Sequence, residues 1–283
     1  MPVGTHDLAE LLDLEEIDVN LFRGKQSDTD RQRVFGGQVA AQAMLAGVRC
    51  VDPAYEIHSL HSYFLRPGDT RVPIVYDVER IRDGRSFATR RVSARQHGRP
   101  IFYLTANFQR EEEGLEHQDT MPEVPGPEEG VAMVDLMRAA GNAEADALAK
   151  EWASLDARFV GSSRHGLPED PSRPARSRMW IRVNAALGDD PVVHRAAFTY
   201  ASDMSLLGAT LTAHDIRPSD VQMASLDHAI WFHRPFRADE WWLYDQASPS
   251  ASGGRGLALA RVFTQDGRLV ATVAQEGLIR LVR

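Results

Sequence analysis

One cysteine, Cys50, occurs in 283 residues, so no disulfide can form within the chain. That scarcity fits a reducing compartment, and the expected location is the cytoplasm. No apolar run approaches the roughly 18 residues a membrane span requires, so no span is expected. Met1 to Glu16 is acidic and has no apolar centre, which argues against a secretory leader. Leu281-Val282-Arg283 is not a peroxisomal address of the Ser-Lys-Leu type. Positive charge is also short: the formal net charge is −8, and phosphate backbones need a basic face, so no nucleic-acid partner is expected. Local arginine clusters still leave an anionic small substrate open.

Several chemical motifs are missing as well. No serine stands in Gly-x-Ser-x-Gly, so a nucleophile elbow is not supported. No Walker loop occurs, and no Gly-x-Gly-x-x-Gly follows a strand. Neither His-Glu-x-x-His nor paired Cys-x-x-Cys is found, so nothing calls for zinc. No metal or cofactor is expected.

What is present is a repeat. Ser225-Leu226-Asp227-His228-Ala229-Ile230-Trp231-Phe232-His233-Arg234-Pro235 echoes His58-Ser59-Leu60-His61-Ser62-Tyr63-Phe64-Leu65-Arg66-Pro67. Both end in aromatic-Phe-x-Arg-Pro, at an offset of 235 − 67 = 168. The same offset sets Asn107 over Gln275 and Phe35 over Asp203. Two copies are too few for a solenoid, so a pseudo-dimer within one chain is expected.

In chain order, residues 7–17 read as a short amphipathic helix and residues 19–23 as a strand. Val39, Ala40, Ala43, Met44, Gly47 and Val48 recur at helical spacing within 34–48, behind Gly36-Gly37. The small residues on that helix permit close backbone approach, as where a sheet wraps around it. Strands are expected over 57–65, 72–81, 86–96 and 100–109, with a hairpin at Gln96-His97-Gly98-Arg99. A helix followed by antiparallel strands is an α+β unit. Residues 111–130 hold eight acidic residues, three prolines and no Lys or Arg, and read as a solvated linker. Residues 131–153 read as a linker helix and 161–177 as a loop. The second unit is expected to begin near Ala157–Val160 and continue through Met179–Val183. Its helix would carry Met204, Leu207, Gly208 and Leu211 on one face. Strands follow at 226–234, 241–247, 256–264 and 268–280, with a hairpin at Gln265-Asp266-Gly267-Arg268. The domains are then 1–112, a first unit; 113–154, a linker; and 155–283, a second unit carrying the catalytic residues.

Three polar residues interrupt apolar patterns in the second unit. Asp203 is expected at the start of its helix, where it would serve as an N-cap or a functional carboxylate. Ser225 opens the signature strand, as a turn hydroxyl or an active-site one. Gln275 shares a strand face with Leu269, Ala271 and Val273, and a buried amide left without partners costs about 1–3 kcal/mol. Opposite Asp203 and Gln275 the first unit holds Phe35 and Asn107, which suggests one working site and one silent one. Cys50 reads as a small buried hydrophobe rather than a nucleophile. His58, His61 and His228 read as structural residues rather than bases. Gly36-Gly37 is either a tight entry turn or a helix start whose free amides polarise an oxygen.

Several linked motifs, in order from about residue 10 to 280, resemble the type II acyl-CoA thioesterases, the TesB-like family. They are Val34-Phe35-Gly36-Gly37-Gln38-Val39, His58 through Asp69, Gly84-Arg85-Ser86-Phe87, Ser202-Asp203, Leu226-Asp227-His228 with Trp231 through Pro235, Gly254-Arg255-Gly256, and Gln275-Glu276-Gly277. The acidic linker is the least alike. The resemblance implies a double hotdog fold, two antiparallel sheets each wrapped around a long helix. It implies hydrolysis of acyl-CoA to free CoA and a carboxylic acid, by a constellation that falls on Asp203, Ser225 and Gln275. The family often has Thr at the Ser225 position; serine keeps the hydroxyl and loses the methyl.

On that basis Asp203 would accept a proton from water, while Ser225 and Gln275 orient it. The Gly37 amide is a candidate oxyanion donor. Arg85 and Arg255 are candidates for the CoA phosphates. A homo-oligomer, a dimer or a dimer of dimers, is expected. Two alternatives remain at this point: an enoyl-thioester hydratase using Asp227-His228 as acid and base, and an acyl-CoA binding protein without turnover.

Overall fold

A computed structural model describes residues 7–29, 31–216 and 220–282. The first six residues of the leader argument and the last residue of the C-terminal address lie outside that range. Asp7 caps α1 (Leu8–Leu12), its carboxylate accepting the Glu10 amide at 2.9 Å. The helix is shorter than its apolar spacing suggested. It is followed by a hairpin of β1 (Glu15–Asp18) and β2 (Leu21–Arg23) in place of one strand, turning through Asn20 at φ 60.

The expected helix is α2 (Gly36–Val48), with every residue from Gly37 to Gly47 buried. Two glutamines share that burial and hydrogen-bond to neighbouring segments. Gln42 donates to the Leu11 and Lys25 carbonyls and accepts from the Tyr76 hydroxyl; Gln38 donates to the Lys25 carbonyl. Strands β3 (Tyr55–Phe64), β4 (Val75–Asp83), β5 (Phe87–Gln96) and β6 (Arg99–Arg110) follow. The expected β5–β6 turn forms, with His97 and Gly98 both at positive φ.

The second half comprises β8 (Leu155–Ser162), β9 (Ala175–Val183), α5 (Pro191–Ser202), β10 (Val221–Ser225), β11 (Asp227–Phe232), β12 (Trp242–Ser252), β13 (Arg255–Thr264) and β14 (Leu269–Leu281). Its helix is not where the repeat placed it. Met204, Leu207, Gly208 and Leu211 lie on or just before a 3-10 segment, Leu206–Ala213, and α5 precedes them. The two helices start 191 − 36 = 155 residues apart, whereas β3 and β11 keep the offset of 168. The second half therefore has 168 − 155 = 13 extra residues between helix and strand. Asp190, whose carboxylate accepts the Val192 amide, and Pro191 at the first helical position mark the true start. Asp203 consequently sits at the C-terminal end of its helix, not at the start. The counterpart of Phe35, as the residue before a helix, is Asp190; the counterpart of Asp203 is Arg49.

With β7 (Val131–Ala132) at one end, the strands form one sheet in the order β1-β2-β4-β5-β6-β3-β11-β14-β13-β12-β9-β8-β7, and β10 pairs β14. Strands β4-β5-β6-β3 on one side mirror β12-β13-β14-β11 on the other. The seam is an antiparallel pairing of β3 with β11, from Tyr63 opposite Asp227 to Ser59 opposite Trp231. Helix α2 packs on β3 to β6 of its own half, Phe198 of α5 packs on Phe232 and Trp242 of the other, and α2 and α5 pack on each other inside. The architecture is a double hotdog of the α+β class, its two sheets fused along one edge.

The segment between the halves departs from a plain solvated linker. Gln118 hydrogen-bonds both sides of the β13–β14 turn, Asp119 pairs with Arg261, and the Pro125 carbonyl accepts from the Trp180 indole. Met121 and Val124 cover Trp180, Leu243 and Phe263. The acidic stretch is thus a strap across the second half, held by side chains its composition did not foretell. In place of a single linker helix, β7 (Val131–Ala132), α3 (Met133–Ala139) and α4 (Ala145–Glu151) follow. Among the described residues no helix is long and apolar enough to cross a membrane.

Candidate active site

Helix α2 begins where α5 ends. A Cβ on Gly37 would lie 2.1 Å from the Tyr200 carbonyl oxygen, and one on Gly36 would lie 2.5 Å from Asp203 Oδ2. Only glycine permits this approach. It brings the positive end of one helix onto a carboxylate at the other's C-terminus.

Asp203 is the hub. Its Oδ1 accepts from Gln275 Nε2 at 2.5 Å and from Ser225 Oγ at 3.3 Å. Gln275 Nε2 also donates to Ser225 Oγ at 3.1 Å, closing a triangle. The nearby Gly37 N–H favours the ionised form of the same carboxylate. Three residues from separate elements of the second half and one amide from the first therefore converge. Gln275 is 1% exposed, and its Oε1 has no hydrogen-bond partner among the described residues. That acceptor faces a site where an unpaired amide oxygen is costly.

Burial raises the Asp203 carboxyl from its ordinary 3.8 to about 6, against the lowering effect of the Gln275, Ser225 and Gly37 hydrogen bonds. Part of the residue reaches solvent, but dense packing around the carboxyl itself dominates. A carboxylate titrating near 6 is ionised at neutral pH and basic enough to take a proton from water.

How Ser225 comes to face this centre is a matter of register. Ser225 lies opposite Gly277, while Ala229 lies opposite Ala274, so the pairing with β14 shifts by one residue across Leu226. The shift acts as a β-bulge and lets Ser225 and His228 both face inward, although they are three apart. His228 is fully buried, its Nε2 2.8 Å from Ser202 Oγ, and burial pushes its pKa down to about 3. Asp227 faces the other way and its Oδ1 accepts the Glu276 amide at 2.7 Å. Side chains on opposite faces of a strand cannot act as an acid and base on one substrate, which removes the residues a hydratase would have used.

Other sequence candidates fall outside the cluster. Arg85 is exposed in the β4–β5 turn. Arg255 lies opposite Leu278 and pairs with Glu276 at 3.1 Å, on the sheet face away from Gln275. Cys50 is buried and free. Asn107 does not hold the Gln275 place in the first half: His61 lies opposite Thr105 where Ala229 lies opposite Ala274, so Ala106 corresponds to Gln275, and Asn107 faces outward, accepting from Thr89 at 3.4 Å and from the Phe108 amide. Phe35 packs edge-on against Tyr200 and Trp152. Ser202 and the inward turn of His228 were not found from sequence; the Ser202-Asp203 and Asp227-His228 dipeptides carried the only signal.

A double hotdog with a carboxylate–hydroxyl–amide cluster defines a hydrolase of the hotdog thioesterase class. The family described as Acyl-CoA thioesterase matches residues 171–278, and that described as Acyl-CoA thioesterase N-terminal domain matches residues 25–109. Acyl-CoA thioesterase 2 of Haemophilus influenzae is 38% identical over 97% of this chain and 97% of its own. The crystal structure of acyl-CoA thioesterase II TesB2 from Mycobacterium marinum is 46% identical, with a TM-score of 0.83 over 97% of this chain and 98% of that one. A hot dog fold protein of unknown function from Alicyclobacillus acidocaldarius, 20% identical with a TM-score of 0.79 over 98% and 99% of the two chains, shares the fold. The chain belongs to the acyl-CoA thioesterase family.

Proposed function

We propose that this acyl-CoA hydrolase works by direct attack of water on the thioester, with Asp203 as general base and Ser225 and Gln275 as orienting groups. The observation that carries this is the convergence of both side chains on one Asp203 oxygen, beside a buried amide oxygen still able to accept. Water oxygen bonds to the thioester carbon as its proton passes to Asp203. The tetrahedral intermediate collapses with C–S cleavage, and the sulfur takes the proton held by Asp203 to leave as CoA thiol beside the carboxylic acid, restoring the carboxylate. No covalent enzyme intermediate is required. The Gly37 N–H is the donor assigned to the developing oxyanion; it already serves Asp203, so a bound carbonyl competes for it. Arg85 and Arg255 are assigned to the CoA phosphates, Arg255 after release from Glu276.

In this proposal residues 1–112 and 155–283 are the two hotdog units and 113–154 the link between them. The enzyme acts in fatty acid metabolism in the cytoplasm, where a free Cys50 would stay reduced. It works as a homo-oligomer. Tyr63 opposite Tyr103, and Trp231 edge-on to His61, expose aromatic area on the outer face of the sheet in support. Thiol release measured across short, medium and long acyl-CoAs tests the function. Binding of acyl-CoA without thiol release would show a sensor instead.

A further inference from the structure

The three reacting side chains occupy mechanically weak places. Asp203 follows the last residue of α5, Ser225 ends β10 at a bulge, and only Gln275 lies within a long strand. Something must hold them, because misplacement by about 1 Å can cost about 10²-fold in rate. The dipeptide Asp227-His228 touches the neighbours of two of them and shares the bulge with the third.

His228 reaches the base through Ser202, the residue immediately before Asp203. Ser202 Oγ donates to the Thr199 carbonyl at 3.0 Å and has one proton. At 2.8 Å it must therefore accept from His228, which places the imidazole hydrogen on Nε2. His228 Nδ1 is then a bare acceptor, with no partner among the described residues. The Tyr244 hydroxyl donates to the Ser202 carbonyl at 2.9 Å, and Ser62 of the first half donates to the His228 carbonyl at 2.7 Å. On the opposite face, Asp227 Oδ1 holds the amide of Glu276, the residue after Gln275, at 2.7 Å. One dipeptide thus fastens the end of α5 and the middle of β14 to the same strand.

We propose that Asp227 and His228 are positioning residues for the hydrolysis: His228 sets Asp203 through the Ser202 hydroxyl, and Asp227 sets Gln275 through the Glu276 amide. The proposal rests on Asp203 being the general base. Ser202 and His228 form a hydrogen-bonded serine–histidine pair, but both are sealed from substrate, so the pair acts on the base and not on the thioester.

The test compares His228→Leu, His228→Gln, Ser202→Ala and Asp203→Asn, with His228→Leu also made on the Asp203→Asn background. His228→Leu and Ser202→Ala should each lower kcat about 10- to 100-fold with KM within about threefold. His228→Gln, whose Nε2–H can donate from nearly the same place, should recover most of that loss. On the Asp203→Asn background, His228→Leu should add less than about twofold, because residues acting through one another are not additive. Asp227→Asn, which keeps an acceptor, should outperform Asp227→Ala in kcat. Wild-type kcat in Ser202→Ala, a full additional loss in the double variant, or no rescue by Gln would each overturn the proposal. If His228→Leu fails to fold, Ser202→Ala, which removes one oxygen, decides alone. Near-normal turnover of Asp203→Asn would defeat the general-base reading itself and the positioning role with it. An inactive Asp203→Asn beside an unaffected Ser202→Ala would defeat only the positioning role.

Discussion

The backbone of Gly36-Gly37 and the carboxylate of Asp203 come from opposite halves of the chain and meet across the contact of α2 with α5. The first half therefore borders the Asp203 cluster directly rather than serving as a passive cover. This contact allows no side chain at either glycine.

The two glycines should fail differently. An alanine Cβ at position 36 would meet Asp203 Oδ2 at 2.5 Å and the Phe64 ring at 2.8 Å. Gly36→Ala should lower kcat about 10- to 100-fold. At position 37 the Cβ meets a backbone oxygen at 2.1 Å. Gly37→Ala should instead separate the helices and lower Tm, even though alanine is the better helix former by about 1 kcal/mol. Turnover and thermal unfolding of both variants check this. Wild-type kcat in Gly36→Ala would mean the helix start does not set the carboxylate.

Asp203→Asn should lower kcat about 10²–10⁴-fold with little change in KM. It should also stabilise the protein above pH 7. A raised carboxyl pKa means the folded state holds its proton more tightly than the unfolded chain. That contribution is fully present below the unfolded value of 3.8 and is lost as pH rises through about 6. Above that, a charged carboxylate is held in a desolvated place. The gain from Asn at pH 8 should be about 1–2 kcal/mol, allowing for the solvent the residue still meets, and should shrink toward pH 5. Denaturant unfolding at the two pH values measures it.

The pH–rate profile should show the same group. kcat/KM should rise tenfold per pH unit on the acidic side and level off near pH 6, where Asp203 becomes ionised. Gln275→Ala removes a donor that favours the ionised form, so the limb should move to higher pH in that variant. A limb unmoved by any change at Asp203 or Gln275 would assign it to another group.

Ser225→Thr should remain active, since the hydroxyl is kept, and Ser225→Ala should lose part of kcat. Its hydroxyl lies 3.3 Å from Asp203, close enough that attack by serine is a fair competing mechanism. A stoichiometric burst of thiol, with acylated Ser225 found by mass spectrometry, would establish that mechanism in place of water attack.

Gln275→Ala should reduce kcat strongly, whereas Asn107→Ala should act mainly through stability. The Asn107 amide oxygen is occupied by Thr89 and the Phe108 amide. The first half places Arg49, not a carboxylate, after its helix. Equal kcat losses at unchanged Tm would mean two working sites.

The duplication was legible in the chain because strands repeat their pattern under a nearly constant spacing. The aromatic-Phe-x-Arg-Pro ends fix corresponding points on β3 and β11, but β6 and β14 are one residue further apart, so the offset of 168 set outward-facing Asn107 over Gln275 where the structure sets Ala106. The same spacing failed for the helix. A loop can absorb 13 residues without disturbing strand pairing, and no local signal outweighed the apolar spacing of Met204 to Leu211 except Asp190-Pro191. Asp203 was thus found with its position on the helix reversed.

Composition fixed the acidic character of residues 111–130, but not the strap they form, because Gln118 and Pro125 find their partners only once β13, β14 and Trp180 are assembled. Sequence alone determined which side chains break the apolar pattern: Asp203, Ser225 and Gln275 stand out because burying them is expensive. Tertiary structure decided that they meet. Their convergence depends on a one-residue register shift at Leu226 and on two glycines that let α2 touch α5. Both are relations between distant segments, and neither leaves a periodic trace in the segments themselves.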